Sequence, residues 1–180
     1  MHHSIAATAL LAVSLVAINA AGAAEIYIPL GDTGRIQVVD VSSGQVTGSI
    51  GDVGDVHGLA ITPDRATLVA GSFAETPAAD QASPPRPANV SEAEHEKHHA
   101  MAPPAPAKGR VSYVSIVDTA SRKVTRRVGV RGAVHHVASS PDGRYAVTTH
   151  PGAGGISVID LQTYEVAATV QTEPAPNYAV

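Results

Sequence analysis

Histidine is the side chain through which this sequence could do chemistry, since the chain has nine histidines and no cysteine. Imidazole is the commonest side-chain ligand for zinc, copper and iron. His57 and His135 are the leading candidates for cofactor or metal binding, because each lies 17 residues after an aspartate, Asp40 or Asp118, that closes an apolar run. A polar residue that caps the start of a strand with a backbone hydrogen bond would account for the same spacing, so both interpretations stay open.

A second group of histidines lies in a segment rich in proline, alanine and charge. Residues Ser91–Glu94, Ser-Glu-Ala-Glu, fit a capping box and predict the start of a short helix. His95, His98 and His99 then share one helix face, with the spacing i, i+3, i+4. His-x-x-His-His on a helix can bind Zn²⁺ or Cu²⁺ without thiolates. A solvated linker without metal has the same composition, so this segment also carries two hypotheses.

The elements that position the histidines are short apolar runs in an internal repeat. Three of these runs, IQVVD, VSIVD and ISVID, close at Asp40, Asp118 and Asp160. A turn proline follows the first two aspartates after 23 residues, and 42 residues separate Asp118 from Asp160. Four short strands per unit and a period of about 40–50 residues predict the blades of a β-propeller. Because the aspartates recur in every repeat, we expect them to cap turns rather than to catalyse.

A closed propeller is a disc of blades around a central channel. Because strand direction alternates within a blade, we expect two connections to lie on the same face of the disc: the one that enters the innermost strand, and the one between the second and third strands. His57 and His135 begin innermost strands, and His150 ends a second strand, which adds His150 to the candidate metal ligands. In a regular strand successive side chains alternate, so His136 should point away from His135. No pattern resembles an acid–base pair with a nucleophile, so no catalytic residue is predicted and enzymatic activity is left open.

The stretch Val134–Val170, VHHVASSPDGRYAVTTHPGAGGISVIDLQTYEVAATV, resembles the YVTN-type β-propeller repeat, and within that group the cytochrome d1-like propellers. The matching parts are His-x-x-Ala-x-Ser-Pro-Asp-Gly-Arg-Tyr-Ala-Val, a glycine-rich turn and Ile-Ser-Val-Ile-Asp. The resemblance covers about Glu25–Val180 and implies an all-β propeller of four-stranded antiparallel blades. Cytochrome d1-like relatives use histidines at the channel mouth around a noncovalent haem, a position that His57 and His135 resemble.

The strands of residues 25–180 amount to about three blades, whereas propellers typically close with four to eight. We therefore predict a partial propeller whose ring is not closed within one chain. A truncated product and a ring completed by several chains are both compatible with this count. Phe73–Lys108 has no apolar periodicity and is predicted to be a mobile insert. Pro176–Val180 is predicted to begin a further innermost strand.

Composition excludes several classes of protein. With one phenylalanine, five tyrosines and no tryptophan, the core must consist of Val, Ile, Leu and Ala. A net charge of −4 without a basic cluster predicts no nucleic-acid partner. The absence of cysteine excludes disulfides, thiolate metal sites and c-type haem, which needs Cys-x-x-Cys-His.

An apolar run at Ile5–Ala20, followed by Ala-Gly-Ala-Ala, predicts a secretory signal peptide over residues 1–24. An uncleaved membrane anchor is the competing interpretation, but the run is shorter than the roughly 20 residues that a span needs. Cleavage between Ala21 and Glu25 would leave a periplasmic chain without a membrane segment.

The leading hypothesis is a periplasmic propeller that acts as a binding or scaffold module and holds copper or zinc through histidines on one face. Its partner would be a protein or small molecule that the sequence does not identify. One alternative is a piece of a d1-haem or copper-dependent oxidoreductase, of the kind that reduces nitrite or nitrous oxide. Another is a propeller for protein interaction that contains no metal.

Overall fold

The computed structural model describes residues 24–77, 91 and 109–180, and every regular element in them is a β-strand. These strands are β1 (Glu25–Pro29), β2 (Ile36–Asp40), β3 (Val46–Ile50), β4 (Val56–Ile61), β5 (Thr67–Ser72), β6 (Thr76–Pro77), β7 (Arg110–Asp118), β8 (Lys123–Arg131), β9 (Val137–Ser139), β10 (Tyr145–His150), β11 (Gly155–Asp160) and β12 (Glu165–Gln171). The described residues contain no helix with the length and apolar character that a membrane crossing requires. The predicted leader and His95, His98 and His99 lie outside the described residues.

The strands form three antiparallel sheets, which we name blades I, II and III in chain order. Blade I has the order β1-β2-β3, and blade III has the order β9-β10-β11-β12. Blade II runs β4-β5-β7-β8, with the two-residue β6 beside β7. This succession of meanders confirms the predicted fold class, a partial β-propeller, and the described residues do not close a ring.

The strand register repeats from blade to blade. In each blade the first residue of the second strand lies opposite the repeat aspartate: the pairs are Glu25–Asp40, Thr67–Asp118 and Tyr145–Asp160. In each blade the pairing of the third and fourth strands shifts register at the same repeat position. The shift comes directly after Val38 in blade I, Ile116 in blade II and Val158 in blade III. Blade I therefore consists of a second, third and fourth strand.

The core lies between neighbouring blades, because each strand of blade II sends alternate side chains to opposite faces. Leu68 packs with Ile36 and Val38 of blade I, whereas the adjacent Val69 packs with Ala146 and other residues of blade III. Burial of one Val, Leu or Ile side chain stabilises the fold by about 1.5–3 kcal/mol. Aliphatic packing between blades is therefore the main stabilising term, as the near absence of aromatic residues predicted.

The repeat aspartates cap the turns between third and fourth strands. Asp40 Oδ1 accepts hydrogen bonds from the backbone N–H and hydroxyl of Ser43, and Asp118 Oδ1 accepts the equivalent pair from Ser121. Asp160 Oδ1 accepts from two backbone amides. Hydrogen bonds to the charged form, chiefly from Ser42, lower the pKa of Asp40 to about 2. The predicted turn-capping role is confirmed.

The fourth residue after each repeat aspartate adopts the left-handed backbone region. Its φ is 67° at Gly44, 56° at Arg122 and 60° at Tyr164. Both non-glycine side chains reach back to the preceding blade: Arg122 forms an ion pair of 2.7 Å with Glu25, and Arg126 lies over the Tyr164 ring at 5.5 Å. These turns therefore connect blades as well as strands.

Blade II continues beyond the end of β5. Residues 73–75 break the strand, and β6 (Thr76–Pro77) then pairs with Arg110 and Val111 of β7. Glu75 supports this break, since its carboxylate accepts hydrogen bonds from Arg110 Nε and the Ala133 amide, both at 2.8 Å. The sheet thus extends to Pro77, five residues into the range predicted for the insert.

Candidate functional site

An open cavity of about 350 Å³ lies at the inner rim, where the innermost strands of blades II and III meet. Its lining combines imidazole, phenol and aliphatic groups, supplied by Tyr27, Pro29, His57, Gly58, Leu59, His135, His136 and Tyr178. Three of the nine histidines therefore share one cleft. Cavities of this size, with a few convergent polar groups, are the usual form of a small-ligand site.

His57 and His135 contact each other directly. Their ring centroids lie 5.0 Å apart with an interplanar angle of 49°, and the Phe73 ring also lies 5.0 Å from the His57 ring. Because the two histidines occupy one repeat position in adjacent blades, the packing of β4 beside β9 brings their rings together. His57 is exposed, and its ring nitrogens form no hydrogen bond within the described part of the chain.

A β-bulge orients the histidines of blade III. The His135 amide donates to Thr149 O and the Thr149 amide donates to His136 O, each at 3.0 Å, so two residues oppose one. Blade II has the same irregularity, with His57 as the extra residue between Val56 and Gly58. A bulge breaks side-chain alternation, and His135 and His136 both line the cavity. The prediction that His136 points away from His135 was wrong for this reason.

The C-terminal segment, Pro176–Val180, crosses the histidines and is not a strand. Asn177 O accepts hydrogen bonds from Thr149 Oγ1 and His135 Nδ1, each at 3.0 Å. The Ala179 amide donates to His136 Nδ1 at 3.3 Å. Within a single chain the segment does not form the predicted innermost strand, because its backbone bonds to side chains rather than to a strand edge.

These contacts fix different tautomers for the two neighbouring histidines. His135 Nδ1 faces a carbonyl oxygen and must carry the proton, which leaves the Nε2 lone pair available. His136 Nδ1 accepts a backbone N–H, so the neutral ring carries its proton on Nε2. Metal-bound histidines usually donate their other ring N–H to a carbonyl or carboxylate. His135 has that arrangement and His136 does not.

His150 has a different environment from the rim histidines. Its side chain is only 2% exposed, with Nε2 at 2.9 Å from Ser157 Oγ and 3.1 Å from Thr148 Oγ1. Nδ1 lies 3.2 Å from Ala133 O. Desolvation lowers the pKa of His150, so the neutral ring is favoured. Both nitrogens of this candidate ligand are thus bound by the fold, and His150 does not line the cavity.

The donor set of the rim suits two ligand positions of a metal. Within the described residues, no group of three or more His, Cys, Asp or Glu side chains could hold a metal ion. Two imidazoles on a tetrahedral ion, with bonds of about 2.0–2.1 Å, have ring centroids about 5 Å apart. The spacing of 5.0 Å between His57 and His135 fits that arrangement, and water or a small ligand would complete the coordination.

Sequence reasoning missed three aromatic side chains at the rim, those of Tyr27, Phe73 and Tyr178. The Tyr178 ring lies 5.7 Å from His135 and 5.2 Å from His136, and contacts both edge to face. A signal for it was present, since Tyr178 follows Asp160 by 18 residues and His136 follows Asp118 by the same number. The repeat register gives Tyr178 the position of His136, but the expected alternation would have turned it away from His135 and His57.

Comparison with known proteins identifies the fold but not a family. No family model matches the chain, and no curated protein matches it. Among 587 matching chains of solved structures is Kuenenia stuttgartiensis hydrazine synthase, with a TM-score of 0.60 and 20% identity over 85% of this chain. The match spans 34% of the hydrazine synthase chain, about a third of its length. At this identity the likeness shows the fold alone, and it supports the propeller architecture.

Proposed function

We propose that this chain is a periplasmic propeller module, of the YVTN and cytochrome d1-like kind, that binds zinc or copper through His57 and His135. One observation carries the proposal: two imidazoles in contact at 5.0 Å, of which His135 donates its Nδ1–H to a backbone carbonyl. That hydrogen bond leaves Nε2 of His135 as the ligand atom. The apolar leader at Ile5–Ala20 supports export.

The cavity gives the site a binding role rather than a structural one. A metal with two protein ligands keeps open positions for water or a small molecule, whereas structural zinc usually has four protein ligands. The volume of about 350 Å³ and the rings of Tyr27 and Tyr178 give such a molecule a partly apolar surface. The module would therefore present a metal-bound ligand to solvent or to a partner.

The test measures the metal content and the visible spectrum of the exported protein, and compares them with those of the double variant His57→Ala/His135→Ala. We expect close to one zinc or copper per chain and no metal retained in the double variant. Acid should release the metal, because protons compete with it for imidazole. Deletion of Ser91–Met101, which removes His95, His98 and His99, should leave the rim metal in place.

Three results would contradict the proposal. Metal that follows the deletion and ignores the double variant would assign binding to the second histidine group. A haem absorption band that the double variant abolishes would favour the alternative of a d1-haem oxidoreductase. Protein that binds neither metal nor haem would favour a metal-free interaction propeller.

A further inference from the structure

Blade I leaves apolar side chains uncovered on the face that points away from blade II. Ile26 is 49% exposed, Ile28 38% and Val46 57%. Ile26 and Val46 both lie beside Val39 in the sheet register, so they form one apolar patch across three strands. We name this patch the front face. The patch is aliphatic apart from Gln37, which lies opposite Ile28 on the same face.

The repeat shows how such a face is normally used. In blade II the positions of Ile26, Ile28 and Val46 are occupied by three residues that are at most 1% exposed and pack against blade I, namely Leu68, Ala70 and Val124. In blade III the first of these positions is Ala146, which is fully buried against blade II. The same face is therefore covered by a blade twice within the chain.

Blade III leaves the complementary face uncovered. In blade II the residues that pack against blade III include Val69, Val114, Ile116 and Val128. The repeat places Val147, Ile156, Val158 and Val170 at these positions in blade III. The first three are only partly buried and Val170 is 45% exposed. We name this patch the back face.

We propose that the back face of one copy packs on the front face of a second copy. The contacts between blades I and II and between blades II and III are two examples of a back face on a front face. The uncovered front face of blade I and the uncovered back face of blade III could form a third contact of the same kind. That contact would continue the series of blade-to-blade interfaces already present in the chain. Two copies supply six blades, within the usual range of four to eight, and two identical heterologous contacts close the ring.

The C-terminal segment supports this head-to-tail order. Within the described residues, blade I has three strands, and the inner edge of β1 lacks the neighbouring strand that β5 and β10 have in β4 and β9. Pro176–Val180 follows blade III, with Asn177 at the repeat position of His57 and His135. When blade I of a second copy follows blade III, this segment lies next to the edge of β1 and can pair with it.

Sedimentation of the full chain, with a chelator present to exclude metal bridging, tests the proposal. We expect the mass of two chains over a wide concentration range. Ile28→Glu on the front face and Val170→Glu on the back face should each shift the protein to single chains. Ala120→Glu, at an exposed position in the turn between β7 and β8 of blade II, is the control and should leave the pair intact, because both faces of blade II are already covered within the chain.

Mixing the two single variants identifies the geometry. Ile28→Glu retains a normal back face and Val170→Glu a normal front face, so their mixture should again form pairs through one intact contact. Circular dichroism checks the fold, which both exposed substitutions should leave unchanged. Single chains in the unmutated protein, a pair that survives either variant, or a mixture that stays monomeric would each overturn the proposal. The first outcome would indicate that other parts of a longer chain cover the faces.

Discussion

Blade III holds its histidines in two unlike environments. At the inner rim, His135 has one ring nitrogen bound to the C-terminal segment, and its neighbour His57 has none bound within the described residues. At the end of β10, His150 has both nitrogens bound by Ala133, Thr148 and Ser157. A histidine needs a free ring nitrogen to bind a ligand, so this comparison keeps the rim histidines as candidates and removes His150.

The repeat sharpens this contrast. The position of His57 carries histidine again in blade III, as His135, whereas the position of His150 carries Ser72 in blade II. Ser72 is also fully buried, and its hydroxyl accepts a hydrogen bond from the Ala74 amide at 3.2 Å. Blades II and III thus place a buried polar side chain at the second position without requiring histidine, and blade I has Leu30 there. At the first position, that of His57 and His135, the contacts observed do not require histidine for the fold.

The largest effect should come from replacing the buried histidine. His150→Ala removes the partner of the Ser157 and Thr148 side chains and leaves a cavity, so we expect a loss of about 2–4 kcal/mol in the free energy of unfolding. His57→Ala, on the exposed rim, should change it by less than about 0.5 kcal/mol. Urea denaturation of both variants measures the difference. Equal losses would abolish the distinction between the two environments.

The stability of the protein should also depend on pH through His150. Burial lowers the pKa of His150 below its ordinary value of 6.5, so the unfolded chain binds a proton more readily than the folded one. Stability is then complete above pH 6.5 and declines as pH falls below it. Glu75 opposes this shift and Arg131 strengthens it, since both charges act on the ring.

Thermal unfolding at about pH 7.5 and about pH 5 measures this dependence. His150→Gln retains hydrogen-bonding capacity without titrating, so its stability should vary less over the same interval. An unchanged pH dependence in that variant would assign the effect to other groups.

A smaller effect is expected at the bulge. Thr149 Oγ1 accepts from the His136 amide and donates to Asn177 O, each at 3.0 Å. Thr149→Val keeps the shape but removes both hydrogen bonds, at a cost of about 1 kcal/mol per bond. Amide hydrogen exchange in Pro176–Val180 should accelerate, and Thr47→Val on the exposed strand β3 should leave it unchanged. Equal exchange in both variants would show that the bulge does not hold the C-terminal segment.

The sequence predicted the parts of the fold that local chemistry determines. Apolar alternation, turn residues and the spacing of Asp40, Asp118 and Asp160 were sufficient for the strand register, since each signal acts within a few residues. The same register placed His57 and His135 at one repeat position in adjacent blades, but it did not predict that their rings meet. These features do not depend on which distant residues pack together.

The remaining features depend on contacts between distant residues. Two residues oppose Thr149 at the rim, and alternation within one strand carries no information about a bulge on its partner. The hydrogen bonds of His150 join three elements, so a count along the chain could not reveal that its nitrogens are occupied. The sheet likewise extends to Pro77 because β7 provides an edge there.

The left-handed turns at Arg122 and Tyr164 bear on how the blades unfold. In an array of repeats, stability is a sum of terms within each unit and terms between neighbours. A non-glycine residue in this conformation costs about 1–2 kcal/mol within its own blade, and here the side chain so placed contacts the preceding blade. The turn thus lowers the stability of its own blade and raises the stability of the contact between two blades. This combination raises cooperativity, so that neighbouring blades melt together rather than one at a time.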